Sequence, residues 1–326
     1  MTGAGTAKMA RNRRGLKVDG WIAIDKPAGM TSTQVVGAVR RLLNAPKAGH
    51  AGTLDPPATG VLPIALGQAT KTISHLSLRP KAYTFTVRWG EARTTDDAEG
   101  EVTERSDIRP GREAILAALP RFTGTISQVP PAFSAVKVAG ERAYDLAREG
   151  AAPKLSPRSV VIHRFELAAM PDRDRAEFRV ECGSSAYMRG LARDLARDLG
   201  TVGHVEALRR VQVGPFGEAG AITLDKLKDL GHIPPPITPV ETVLDDIPAL
   251  AVTGAEASRI RSGQSIALLR RADLERLEGL REGAELCVMA EGRALALARR
   301  DGATVRPVRV LNPAQEGDDD VGYRRT

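Results

Sequence analysis

The stretch KAYTFTVRW, residues 81–89, alternates without a break. Tyr83, Phe85, Val87 and Trp89 share one face and Thr84, Thr86 and Arg88 the other, the period of a half-buried strand. Working outward, Gly20–Asp25 reads as a second strand, ending at Lys26-Pro27, and Phe178, Val180 and Cys182 mark a third. Thr31 and Gln34 have capping-box spacing, and Val35, Val36, Val39, Leu42 and Leu43 recur with helical period. A Gly- and Pro-rich loop, Gly49 to Gly60, leads into the apolar run Val61–Leu66. After Gly183-Ser184-Ser185 the pattern turns helical through Leu191, Leu195 and Leu199. Strands and helices mix without a regular βαβ rhythm, which predicts an α+β fold rather than a doubly wound one.

At 326 residues the chain has room for about two domains. A second unit is expected after Pro234-Pro235-Pro236 and the segment 240–246. Beyond it, Glu285–Ala290, Leu295–Ala298 and Val305–Val310 are short strands, Asp301-Gly302 is a hairpin signal, and a small β-barrel is expected. Residues 1–17 read as a disordered basic arm, 18–246 as the main domain, 247–312 as the small one, and 313–326 as a disordered tail.

Hydrophobic residues make up 42% and charged residues 27% of the chain, ordinary for a folded soluble protein. There is no apolar run long enough for a membrane span and no secretory signal, so a cytoplasmic protein is expected. Two cysteines, Cys182 and Cys287, exclude a disulfide scaffold or a cysteine-built zinc site, and five scattered histidines offer no metal-ligand spacing. No dinucleotide or phosphate-loop motif occurs. Charge is concentrated at one end: the first 90 residues carry thirteen Lys and Arg against Asp19, Asp25 and Asp55, while the remainder carries 34 basic and 37 acidic residues. Such a field attracts polyanions, nucleic acid foremost.

Within GHAGTLDPPATG (49–60), Asp55 is the one carboxylate between Asp25 and Glu91. An Asp before Pro is also what a helix N-cap followed by Pro looks like. Its isolation among cations favours instead an ionised, available acid, and a single-carboxylate chemistry. Arg189 falls in the first turn of its predicted helix, where a cation opposes the dipole and calls for an anionic partner. Arg193 and Arg197, with Asp194 and Asp198, read as a solvated charged face. Tyr83 is a core residue by its face, or an aromatic able to stack on a base. His50, between small residues, reads as an ordinary loop histidine.

These residues carry a resemblance. GWIAIDKPAGMTS (20–32), GHAGTLDPPATGVLPIALGQATK (49–71), KAYTFTVRWG (81–90), TTDDAEG (94–100), PPAFSAVKVAGERAYDLAREG (130–150), AYMRGLARDLARDLG (186–200) and HVEALRRVQVGPF (204–216) resemble, in collinear order, the TruB family of bacterial tRNA pseudouridine-55 synthases. The resemblance implies a catalytic domain with a mixed, mainly antiparallel sheet and a small C-terminal barrel of the PUA type. It implies Asp55 as the catalytic aspartate, Tyr83 stacking on the target uracil and Arg189 pairing with the carboxylate. It further implies Tyr187 and Leu208 lining the base pocket, and His50 filling the space of a flipped base. Residues 130–150 would close over the RNA. Where the family reads Gly-Thr before the tyrosine, this chain has Ser185-Ala186.

The implied reaction breaks the C1′–N1 bond, turns the uracil and joins C1′ to C5. No atom is gained or lost, so no redox cofactor, metal or ATP is called for. The target base must leave its stack to be reached. Asp55 has three routes: attack at C1′, addition at C6, or removal of the C2′ proton. The expected partner is the T-loop of tRNA, with a monomer acting without protein partners. Against this stand a non-catalytic RNA-binding or RNA-folding protein, a guide-RNA-dependent synthase and, more distantly, a glycosidase.

Overall fold

Residues 18–134, 136–138, 141–143, 155–231 and 233–311 are described by the computed structural model. The expected basic arm and the tail from 313 lie outside the described residues, as do 135, 139–140 and 144–150 of the expected closing segment. In chain order the first unit holds β1 (Gly20–Lys26), β2 (Ala48–His50), β3 (Thr59–Leu66), β4 (Lys81–Trp89), β5 (Glu91–Arg93), β6 (Val102–Arg105) and β7 (Gly124–Gln128). There follow the short pair β8 (Lys137–Val138) and β9 (Glu141–Arg142), then β10 (Arg158–Asp172), β11 (Arg175–Cys182), β12 (Gly203–Val213) and β13 (Phe216–Gly217). Nine strands form one sheet in the order β1-β3-β12-β4-β11-β10-β7, with β2 on β3 and β13 on β12. Every pairing in it is antiparallel except β12 with β3.

β4 lies at the centre and buries alternate residues, Lys81, Tyr83, Phe85, Val87 and Trp89, as its alternation predicts. β1 and β3 are continuous apolar runs because both their faces are covered. Ile22, Ile24, Leu62 and Ile64 join the main core, while Trp21, Ala23, Val61 and Ala65 pack with Phe216 on the other side. Two of the helices that line the main core bear on the site. α1 (Ser32–Leu42) starts at Thr31 with the capping box formed and buries Val35 and Val39. α2 (Met188–Asp198) buries Leu191, Ala192, Leu195 and Ala196 and packs along β12.

The second sheet comprises β14 (Ala249–Ala251), β15 (Ile266–Ala267), β16 (Glu285–Ala290), β17 (Arg293–Asp301) and β18 (Thr304–Val310), in the order β14-β16-β17-β18-β15. Gly302, at φ +60°, makes the turn between β17 and β18, as the Asp-Gly pair foretold. This sheet curls around its own core of Leu250, Ile260, Leu268, Leu286, Val288 and Leu295. It is tied to the first unit by Lys71 Nζ donating to the Val310 carbonyl (2.6 Å) and by the Ala294 N–H donating to Glu241 (2.6 Å). Among the described residues no helix is long and apolar enough to cross a membrane.

Candidate active site

Asp55 caps no helix. It sits in the loop joining β2 to β3, where its carbonyl accepts from the Ala58 N–H at 3.1 Å. Three buried groups hold that loop. The Ser32 hydroxyl, at the start of α1, donates to the Leu54 carbonyl (3.0 Å) and accepts from the Leu54 N–H (2.9 Å). Lys26, closing β1, donates to the carbonyls of Pro27 (2.8 Å), Met30 (2.6 Å) and Pro56 (3.0 Å). Arg210, from β12, donates to the carbonyls of Gly52 (3.1 Å) and Val61 (2.8 Å). Gly52 has φ +82°, and a Cβ there would stand 3.2 Å from the Arg210 guanidinium, so the close approach requires glycine.

Arg189 reaches Asp55 from the first turn of α2, Nη2 to Oδ2 at 2.9 Å. Its guanidinium is buried and bonded at both terminal nitrogens: Nη2 also donates to the Phe133 carbonyl (2.8 Å), and Nη1 to the Thr95 carbonyl (2.9 Å). Asp97 lies 3.6 Å from Nη1 and is itself held by the Thr95 hydroxyl and the Glu99 N–H. Two carboxylates thus answer the unfavourable dipole at this helix start. Ser185, just upstream, has φ +72°, a region that costs a residue with a Cβ roughly 1 kcal/mol or more. That is where the resemblance leads one to expect glycine.

Burial pushes the Asp55 carboxyl above its ordinary value; Arg189 opposes this most, Asp97 adds to it, and Lys26 pulls it back slightly. The expectation that surrounding cations would dominate is therefore corrected: desolvation is the larger effect. A reaction that uses the carboxylate loses rate as pH falls through this raised value. The acid limb of the pH–rate profile is expected above the ordinary carboxyl pKa of about 3.9. Single-turnover rates across pH 4–8 measure it, and a profile flat down to the ordinary carboxyl range would contradict this environment.

Tyr83 is opposite Arg210 in the β4–β12 register, so its phenol lies in the field of that guanidinium. Burial raises the phenol pKa, Arg210 lowers it, and the charge on Asp55 reaches it too. Leu208, opposite Phe85, is half-buried on the same face. Tyr187 is the N-cap residue of α2, two positions before Arg189. His50 ends β2; burial, then Arg210, lowers its pKa, so its neutral form is favoured. The structure thus brings Asp55 and Arg189 into contact, sets Tyr83 within reach of their field, and places Tyr187 and Leu208 on elements that border them.

Sequence reasoning missed four groups. Lys26 and Asp97 lie in quoted motifs but carry no spacing signal; Arg210 and Gln128 carry none either. Burial brings Lys26 down to about 8 despite its three carbonyl partners. One reading is corrected outright. Arg193 is not on a solvated face: its side chain is 14% exposed and bonds to Asp96, Asp194 and the Val129 carbonyl. Arg197 is exposed as expected.

A partly exposed carboxylate held by a buried guanidinium, next to an aromatic side chain on a central mixed sheet, fits a class: an RNA-modifying isomerase of the pseudouridine synthase fold. Solved structures with this fold include an H/ACA ribonucleoprotein bound to a substrate RNA containing 2′-deoxyuridine (TM-score 0.68, 23% identity, 90% of this chain and 85% of that one). A Cbf5–Nop10–Gar1 complex is similar (TM-score 0.67, 25% identity, 90% and 85%). The TruB family pseudouridylate synthase N-terminal domain matches residues 40–188, and the tRNA pseudouridylate synthase B C-terminal domain matches 189–245. The tRNA pseudouridine synthase B of Bradyrhizobium diazoefficiens is 54% identical over 94% of this chain and 88% of its own length. That of Rhodospirillum rubrum is 51% identical over 93% and 100%. The chain belongs to the TruB family, and it isomerises uridine in tRNA to pseudouridine.

Proposed function

We propose that the target is the uridine at position 55 in the T-loop of tRNA, modified in the cytoplasm by a monomer that needs no guide RNA or protein partner. The observation that carries this reading is the 2.9 Å Asp55–Arg189 pair beside Tyr83. In it Asp55 is the catalytic group, acting at the sugar–uracil linkage or the uracil ring. Arg189 holds the carboxylate in place; Tyr83 stacks on the flipped uracil; Tyr187 and Leu208 line the pocket; His50 fills the gap left in the RNA. The fold around β14–β18 serves as a PUA-like RNA-binding module, and residues 18–246 form the catalytic domain. Phosphate contacts from the basic N-terminal third supply most of the salt-dependent affinity.

The test is direct. Purified protein is incubated with a bare tRNA transcript and pseudouridine is mapped along it. Modification confined to position 55 is expected, and a transcript with cytidine there stays unmodified. Silence on the bare transcript would favour the guided reading; binding without modification would favour the non-catalytic one.

A further inference from the structure

We infer that Gln128 is a positioning residue for the reaction: its amide clamps the backbone of Tyr187 and so fixes where Arg189 meets Asp55. Gln128 ends β7, an edge strand, and is 1% exposed. Its Oε1 accepts from the Tyr187 N–H at 2.9 Å and its Nε2 donates to the Tyr187 carbonyl at 3.0 Å. The side chain therefore pairs with that residue's backbone as a neighbouring strand would. Tyr187 begins α2 and has no side-chain cap of its own. The clamp supplies the constraint a cap would give, and adds a bond to the carbonyl.

Two further observations tie the clamp to the site. The residues after Gln128 run along the start of α2: the Val129 carbonyl accepts from Arg193 (2.8 Å) and the Phe133 carbonyl from Arg189 (2.8 Å). Gly190 leaves the space Gln128 occupies, since a Cβ there would lie 3.2 Å from the Gln128 carboxamide carbon and nitrogen. A shift of about 1 Å at a supporting group costs up to roughly a hundredfold in rate, because the reacting groups lose alignment.

The inference rests on the Asp55–Arg189 reading above. Gln128→Glu keeps the acceptor towards Tyr187 N–H, but when ionised it sets an oxygen without a hydrogen against the Tyr187 carbonyl. Protonation restores the donor. The charged groups around this position are Arg158, opposite on β10, and Arg189 and Arg193 on α2, the last two already paired with Asp55, Asp97, Asp96 and Asp194. Single-turnover rates, tRNA Kd and thermal unfolding are measured for the full chain between pH 5.5 and 8.5. At high pH, Q128E is expected at least about tenfold slower than wild type, with Kd within about threefold, and the ratio closes as pH falls.

Gly190→Ala serves as the second variant. Its Cβ crowds the Gln128 carboxamide, so a role confined to folding predicts a lower melting temperature with an unchanged rate per folded molecule. A positioning role predicts a slower rate per folded molecule, whatever the change in melting temperature. A loss in Q128E that is uniform with pH or tracks unfolding, or an unaltered rate in G190A, overturns the inference. A wild-type-like Q128E beside an inactive Asp55→Asn overturns it alone; activity in Asp55→Asn overturns the site reading beneath it.

Discussion

Replacing Asp55 by Asn is expected to abolish pseudouridine formation, by about 10⁴-fold or more in single-turnover rate, equivalent to roughly 5 kcal/mol of lost transition-state stabilisation. All three routes open to the carboxylate need its charge or its basicity, and an amide has neither. The fold has no reason to fail, because the amide oxygen can still accept from Arg189 Nη2, now 2.9 Å from the carboxylate. The buried guanidinium also keeps Asp97 and two carbonyl acceptors. Asp55 is a small part of the RNA-facing surface, so tRNA affinity should stay within about threefold, roughly 0.7 kcal/mol. Rate and Kd measured on one preparation separate the two effects. Full modification by the variant would remove Asp55 from the chemistry, and a large loss of affinity would make it a binding residue.

The features legible in the sequence are those that act along the chain. The faces of β4, the Thr31 capping box and the Asp301-Gly302 turn each follow from spacing, and each stands where it was expected. Asp55 and Arg189 stood out because each is anomalous locally, an acid among cations and a cation at a positive helix end. The two anomalies resolve each other through space. Asp97 and Arg210 were not legible for the converse reason. Arg210 sits on an 11-residue strand as one of two adjacent arginines, and nothing in that pair tells which is buried. The structure shows that Arg209 faces Asp25 and Glu218 while Arg210 faces the loop that carries Asp55. Arg193 was misread because its partners Asp96 and Val129 lie far off in sequence. The direction of the Asp55 pKa shift depends on burial, which charge counting does not measure.

Arg189→Lys tests whether the cation or its shape matters. A lysine ammonium is a point charge with three donors on a flexible stem, whereas the guanidinium is a planar fork. The wild-type side chain bonds at once to Asp55, the Thr95 carbonyl and the Phe133 carbonyl, with Asp97 at 3.6 Å. An ammonium cannot span that set, and any acceptor left unpaired in this buried place costs about 1–3 kcal/mol. The expected loss of rate is roughly 10²–10³-fold, about 3–4 kcal/mol, with tRNA affinity little changed. Arg189→Gln then separates charge from geometry. Arg189 is the largest influence holding the Asp55 carboxyl down against burial, so without it the pKa rises further. The acid limb of the pH–rate profile must move to higher pH in the glutamine variant and by less in the lysine variant. If the lysine variant turns over normally and both limbs stay in place, the guanidinium serves the fold around Thr95 and Phe133, and Asp55 works without it.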